Sequence, residues 1–178
     1  MNGSKPLIDG FRHHRYAHSI MAEPQSPPAV NEDPAAYRHR LTVPVRYDDI
    51  DSLRHVNNKS YLAYVEDARV TYMQRVFGMD RSLLSVPYVI ARIEVDYRAP
   101  AYYGDTMTVR TRCARIGSRS FTLHSLLHRR DPEGAEALCA RVVSVLVTVD
   151  EHGASAPNDS VAVRSILEYE PVAPDQTS

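Results

Sequence analysis

Tryptophan is absent from this chain, and cysteine and lysine occur only twice each. Cys113 and Cys139 are too few for a disulfide scaffold, have no zinc-ligand spacing, and each sits in an apolar, strand-like run. Buried, reduced thiols are expected there. No stretch approaches the roughly 18 consecutive apolar residues that span a bilayer. The N-terminus lacks a continuous apolar run followed by a cleavage site, so the expected address is the cytoplasm. Neither sign of charge is in excess: the formal net charge is −1, which gives no whole-molecule field to attract nucleic acid or an anionic membrane. Any phosphate recognition must be local. Phosphate-binding P-loops, dinucleotide fingerprints and zinc motifs are also missing.

What is present in 178 residues is enough for one domain with a real core, at 43% hydrophobic content. Residues 1–36 interleave Pro, Gly, Ser and charges, and are expected to form a disordered extension, with Met21 an alternative start and His13, His14 and His18 incidental. The domain is expected over 37–170 and a loose tail over 171–178. From Leu41 to Tyr47 apolar and polar residues alternate as in a half-buried strand, with Pro44 marking it as peripheral. Between 59 and 77, Tyr61, Leu62, Val65, Ala68, Tyr72, Met73 and Val76 recur at three- and four-residue spacing, which predicts one helix of about five turns. Asn57 or Asn58 can cap it, and Gly78 can stop it.

The period then changes to two. Val89, Ala91, Ile93, Val95 and Tyr97 alternate with charged residues, and further strands follow over about 106–116, 120–129 and 138–149. Turns at Gly117-Ser118 and at 131–134 make these successive antiparallel hairpins. CARVVSVLVTV is apolar on both faces, which places the last strand inside the sheet. One strand, one long helix and four strands imply an α+β fold in which a curved antiparallel sheet of about five strands wraps one long helix, the hotdog fold. A lone helix covers only one face. The apolar remainder predicts side-by-side pairing into a homodimer or homotetramer.

Chemistry concentrates in RYDDIDSLRHVNNKSYLAYVEDARVTYM, residues 46–73. A carboxylate, Asp51, stands in the loop that approaches a helix N-terminus, where free backbone N–H groups and the macrodipole concentrate about half a positive charge. Such donors polarise a carbonyl and hold a tetrahedral oxyanion; removing one typically costs about a hundredfold to a thousandfold in rate. The carboxylate supplies the attack, directly or through a water.

On D-x-D followed by HVNN-x-x-Y-L and E-x-A-R (Asp49, Asp51, His55, Val56, Asn57, Asn58, Tyr61, Leu62, Glu66, Ala68, Arg69), the chain resembles the acyl-CoA thioesterases of the 4-hydroxybenzoyl-CoA thioesterase type. The likeness continues through IEVDYRAPAYYGDTMTV and IGSRSF and covers about residues 39–169. It implies hydrolysis of an acyl-CoA to a carboxylic acid and coenzyme A, with no cofactor beyond the coenzyme A of the substrate. It places the catalytic carboxylate on Asp51 and the carbonyl-polarising amide at or near the Asn58 N–H. His55, Val56, Asn57, Tyr61 and Glu66 would line the substrate site. Arg119 and Ser118 of the IGSRSF turn would bind the coenzyme A phosphates, with Arg115 and Arg98 as weaker candidates. Arg54 stands where close relatives often have glycine.

Plainer roles stand beside these. A loop Asp before a helix is ordinarily a turn residue, and Asp48 and Asp49 are expected to shape or solvate the loop. A loop His often binds a backbone carbonyl. Glu66 and Arg69 have the spacing of a surface ion pair. A hydratase or dehydratase on the same fold, and a non-catalytic acyl-CoA-binding module, are the rival readings.

Overall fold

The computed structural model describes residues 29–78 and 87–177. Residues 1–28 of the expected N-terminal extension, with His13, His14, His18 and Met21, lie outside the described residues. The elements are β1 (His39–Pro44), α1 (Asn58–Phe77), β2 (Tyr88–Tyr97), β3 (Thr106–Ile116), β4 (Ser120–Arg130), β5 (Glu136–Thr148), α2 (Ser160–Tyr169) and β6 (Asp175–Gln176). The main sheet runs β1-β3-β4-β5-β2, all neighbours antiparallel. This five-stranded sheet packs on α1, as expected for the hotdog arrangement.

Each element follows from local chemistry. Asn57 caps α1 by accepting from Lys59 N (3.0 Å), and Gly78 ends it at φ 62°, a left-handed conformation that costs glycine little. Tyr61, Val65, Ala68, Tyr72, Met73 and Val76 are buried on the face toward the sheet, while Leu62, expected among them, is exposed and Tyr64 is buried in the next turn. The first half of the helix packs with Met107, Val109, Leu127 and Val142. Its second half packs with Cys113, Phe121, Leu123, Leu146 and Ile166. Cys113 and Cys139 are buried and free, and burial pushes the thiol pKa of both up. β5 lies between β4 and β2, which is why both of its faces carry apolar residues.

Three features depart from the pattern read in the sequence. A ten-residue helix, α2, begins at the Asp159 cap and docks Ala162 and Ile166, an element absent from that pattern. The tail expected to be loose is tied down: β6 pairs in parallel with β3, Thr177 N donates to Ile116 O (3.0 Å), and Arg112 Nη2 donates to Val172 O (3.0 Å). Before β1, a single 3-10 turn at Pro34–Ala36 is capped by Asp33, and Ala36 and Tyr37 pack on Leu126. That segment covers part of the sheet face away from α1, where Leu126, His124 and Arg112 alternate with helix-facing Leu127, Leu123 and Cys113.

On that face His124 is 1% exposed, and neither ring nitrogen has a hydrogen-bond partner. Burial, reinforced by the nearby Arg112 guanidinium, pushes its pKa down from 6.5 to about 4. Because the folded pKa lies below the unfolded one, the unfolded chain takes up the proton first. Stability is therefore full above about pH 6.5 and falls as pH drops toward about 4, an effect on the order of 3 kcal/mol. Urea midpoints measured between pH 7 and pH 4 should decline along this slope, and the His124→Gln protein should show a flatter decline. An identical slope in both proteins rejects the assignment.

Candidate functional site

The loop between β1 and α1 is built on Asp49 rather than on the carboxylate two residues later. Asp49 is 3% exposed. Its Oδ2 accepts from Arg46 N (2.8 Å), Arg46 Nε (3.2 Å) and the Tyr64 hydroxyl (2.7 Å), and its Oδ1 accepts from Arg46 Nη2 (3.1 Å). Burial alone would raise the Asp49 pKa. The hydrogen bonds from Arg46 and Tyr64 outweigh it and hold the carboxyl below its usual range. The Asp49 carbonyl meanwhile accepts from Asn57 N (2.7 Å) and Ser60 Oγ (3.3 Å), which ties the loop to the first turn of α1. The structural role expected for Asp49 is thus far more extensive than a turn. The Arg46 and Asp49 spacing was visible in the sequence, but the Tyr64 contact spans 15 residues and was not.

Between these ties the chain makes a tight excursion. Ile50 bridges Val56, Asp51 N donates to His55 O (2.9 Å), and Arg54 N donates to Asp51 O (3.0 Å). Asp51 is half-buried. Its Oδ1 accepts from Leu53 N (2.8 Å), the turn role open to any loop Asp, and its Oδ2 has no partner among the described residues. Arg54 is at φ 64° and is the only non-glycine residue with positive φ among those described. A glycine would adopt that conformation without strain, which explains what the Arg54 departure costs.

At the start of α1 the backbone donors can be counted one by one. Asn57 N goes to Asp49 O, Lys59 N to Asn57 Oδ1 and Ser60 N to Asn57 O (2.8 Å). Asn58 N, between them, has no acceptor among the described residues, and Asn58 is exposed. A free, outward N–H at the positive end of a 20-residue helix is suited to a carbonyl oxygen.

The remaining candidates divide. His55 is half-buried, its ring edge-on to Tyr102 at 5.6 Å between centroids. Val56 is buried and donates its N–H to Ala101 O (2.8 Å). Tyr61 is buried edge-on to Tyr97 (5.4 Å), and burial pushes its hydroxyl pKa well up, so it stays protonated. Within one chain, Val56 and Tyr61 therefore face the core rather than open space. Glu66 is directed outward with its side chain 67% exposed and pairs with Arg69 (3.3 Å), the surface pair that its spacing suggested. Among the described residues no three His, Cys, Asp or Glu side chains are placed to hold a metal ion. No helix there is long and apolar enough to cross a membrane.

Ser118 and Arg119 are exposed in the β3–β4 turn, where Arg119 Nη1 donates to Ser155 O. That turn follows Ile116, whereas the Asp51 loop follows Pro44, which pairs with Thr106 at the opposite end of β3. The two ends are about 33 Å apart along the strand. One chain does not bring Arg119 and Asp51 together. Arg98 sits near Asp96 (3.9 Å), and Arg115 donates to Thr177 Oγ1 (3.2 Å).

The sequence profile of the thioesterase-like superfamily matches residues 45–167. Over 115 residues the chain is 25% identical to the long-chain acyl-CoA thioesterase FadM of Escherichia coli strain K12, covering 64% of this chain and 86% of FadM. A solved thioesterase from Thermus thermophilus, complexed with coenzyme A and zinc, is 33% identical with a TM-score of 0.67, covering 75% of this chain and 94% of that one. The 4-hydroxybenzoyl-CoA thioesterase of Pseudomonas sp. strain CBS-3 has a TM-score of 0.64 at 17% identity, over 71% of this chain and 99% of that one, a likeness of fold alone.

Replacing Arg54 by glycine should relieve the left-handed strain. Thermal melting of Arg54→Gly is expected to show a gain of up to about 1 kcal/mol. A lower melting temperature would mean that the arginine side chain holds the turn in a way its backbone does not reveal.

Proposed function

The chain belongs to the thioesterase-like superfamily, and from that membership we propose that it hydrolyses an acyl-CoA thioester to a carboxylic acid and coenzyme A. The observation that carries this reading is the free Asn58 N–H at the start of α1, reached by a loop whose next free acceptor is Asp51 Oδ2. In this reading the thioester oxygen accepts from Asn58 N and the carbonyl carbon becomes more electrophilic. Asp51 then either attacks that carbon, giving a mixed anhydride that water opens, or removes a proton from the attacking water. In both routes the carbon–sulfur bond breaks, the thiolate leaves and takes up a proton, and the acid departs with one new oxygen. Oxygen labelling of the product in a single turnover separates the two routes. The names of FadM and of the Pseudomonas enzyme bring long-chain and 4-hydroxybenzoyl groups into range, and both belong in the assay.

Pairing of two chains resolves the separation between Arg119 and Asp51. β2 is an edge strand, and Val89, Ile90, Ile93 and Tyr97 on it are each between 38% and 45% exposed. A free apolar edge of ten residues is unsafe unless another strand covers it. A two-fold homodimer formed through it pairs β2 with its copy antiparallel. Tyr88 lies at the Ile116 end of the sheet and Tyr97 at the Thr106 end, so antiparallel pairing swaps the ends. Arg119 of the partner subunit then sits at the same end as Asp51 of this chain, where it can meet the phosphates of a coenzyme A. The hydratase reading gains no support from His124, which is enclosed in the sheet face. Tight acyl-CoA binding without thiol release would favour the non-catalytic reading.

Three variants check the proposal. Asp51→Asn should retain the wild-type melting curve and lose at least about a hundredfold in acyl-CoA turnover, read by thiol release; full activity in that protein ends the assignment of Asp51. Ile93→Arg, placed on the β2 edge, should shift the protein to monomer in sedimentation, with loss of activity. Arg119→Gln should leave the dimer intact and raise KM several-fold more than it lowers kcat. An active Ile93→Arg monomer would refute the two-chain site.

A further inference from the structure

Three arginines, Arg38, Arg40 and Arg75, border a cavity at the far end of α1. It has a volume of about 360 Å³ and is lined by Arg38, His39, Arg40, Thr71, Arg75 and Tyr169. Arg38, Arg40 and Arg75 are exposed, and none takes part in an ion pair among the described residues. Arg46, Arg129, Arg130 and Arg141, by contrast, all face carboxylates. The acid whose charge Arg38 does feel, Glu170, is buried; its Oε1 accepts from the Tyr72 hydroxyl (2.6 Å) and Cys113 N (2.7 Å), and its Oε2 has no hydrogen-bond partner among the described residues.

The remaining lining is neutral or orienting. The Arg38 guanidinium lies over the Tyr169 ring at 5.3 Å, which restrains it. His39 is buried beneath, within 3.1 Å of Thr71 Oγ1, and burial holds its imidazole below the usual pKa, so it adds no charge near neutral pH. Arg40 alternates with His39 and Leu41, so its side chain leaves β1 on the face away from α1 and it borders the cavity from the sheet edge. The carbonyl end of α1 contributes about half a negative charge nearby, which the charges of Arg38 and Arg75 outweigh.

We propose that this cavity binds a phosphate monoester of a small molecule, at a site separate from the thioester site of the same chain. A monoester offers three acceptor oxygens and up to two negative charges, the pattern that forked guanidinium donors match best. The volume lies at the low end of small-molecule cavities, roughly 300–1,000 Å³, and leaves room for a compact organic body beyond the phosphate. Thr71 is 13 residues beyond Asn58, so the cavity is about 20 Å along α1 from the Asn58 N–H. It also borders β1, the sheet edge opposite β2, so pairing through β2 leaves it open. The proposal stands whether or not the chain is a thioesterase.

Titration calorimetry and phosphorus NMR on the full chain at fixed ionic strength test it, with inorganic phosphate, AMP and acetate as probes. One saturable AMP site per chain is expected, with inorganic phosphate weaker and acetate silent. Arg38→Gln/Arg75→Gln should weaken AMP at least tenfold, and Arg75→Gln alone should weaken it several-fold, which keeps the test decisive if the double variant folds poorly. Any acyl-CoA turnover of the wild type should be unchanged in the double variant. The proposal is overturned if AMP does not saturate, if acetate binds as well as AMP, if the variants bind AMP like the wild type, or if the double variant loses turnover through a higher KM. Absence of turnover in the wild type would count against the thioesterase reading and leave the binding result intact.

Discussion

The geometry of the candidate site depends on one buried carboxylate. Asp49 joins Arg46 at the end of β1, Tyr64 on the second turn of α1, and, through its carbonyl, Asn57 and Ser60. Those contacts set where the strand stops, where the helix starts and how the intervening residues are folded back. Because Asp49 O takes the Asn57 N–H and Asn57 takes those of Lys59 and Ser60, the Asn58 N–H is the donor left over. A charge 3% exposed would be costly if unpaired, and here every bond to it also positions the loop.

The same loop carries two locally unfavourable features. Asp51 leaves one carboxylate oxygen without a partner among the described residues, and Arg54 is held at positive φ to close the turn around it. Both features are unfavourable locally and are tolerated because Val56 and the Asp49 clamp secure the chain on either side. At the scale of the sheet a similar incompleteness appears. Among the described residues the edge strand β2 leaves apolar side chains exposed, and the two ends of the sheet carry different candidate groups, the features on which the proposed pairing of two chains rests.

Most of the fold was legible because its signals are periodic and local. The predicted strands at 106–116, 120–129 and 138–149 match β3, β4 and β5 to within two residues at each end, and the helix predicted over 59–77 is α1. Alternation and three-to-four spacing survive whatever the tertiary context. Leu62 was misread on the helix because burial at the edge of an apolar face depends on the neighbour it meets. α2 and β6 escaped notice as short elements near the C-terminus, and both are held by contacts distant in sequence, Ile166 in the core and Asp175 against Arg115.

By itself, then, the order of residues determined the architecture, the capped start of α1 and the short list containing Asp51, His55 and Asn57, because hydrophobic period and capping chemistry act over a few residues. Only the three-dimensional arrangement decided that Asp49 is the anchor, that Asn58 keeps a free donor, that Tyr61 and Val56 turn inward and that Arg119 lies at the other end of the sheet. Those outcomes depend on which distant groups meet and which buried charges find partners, and long-range pairing of that kind leaves no period in the chain to read.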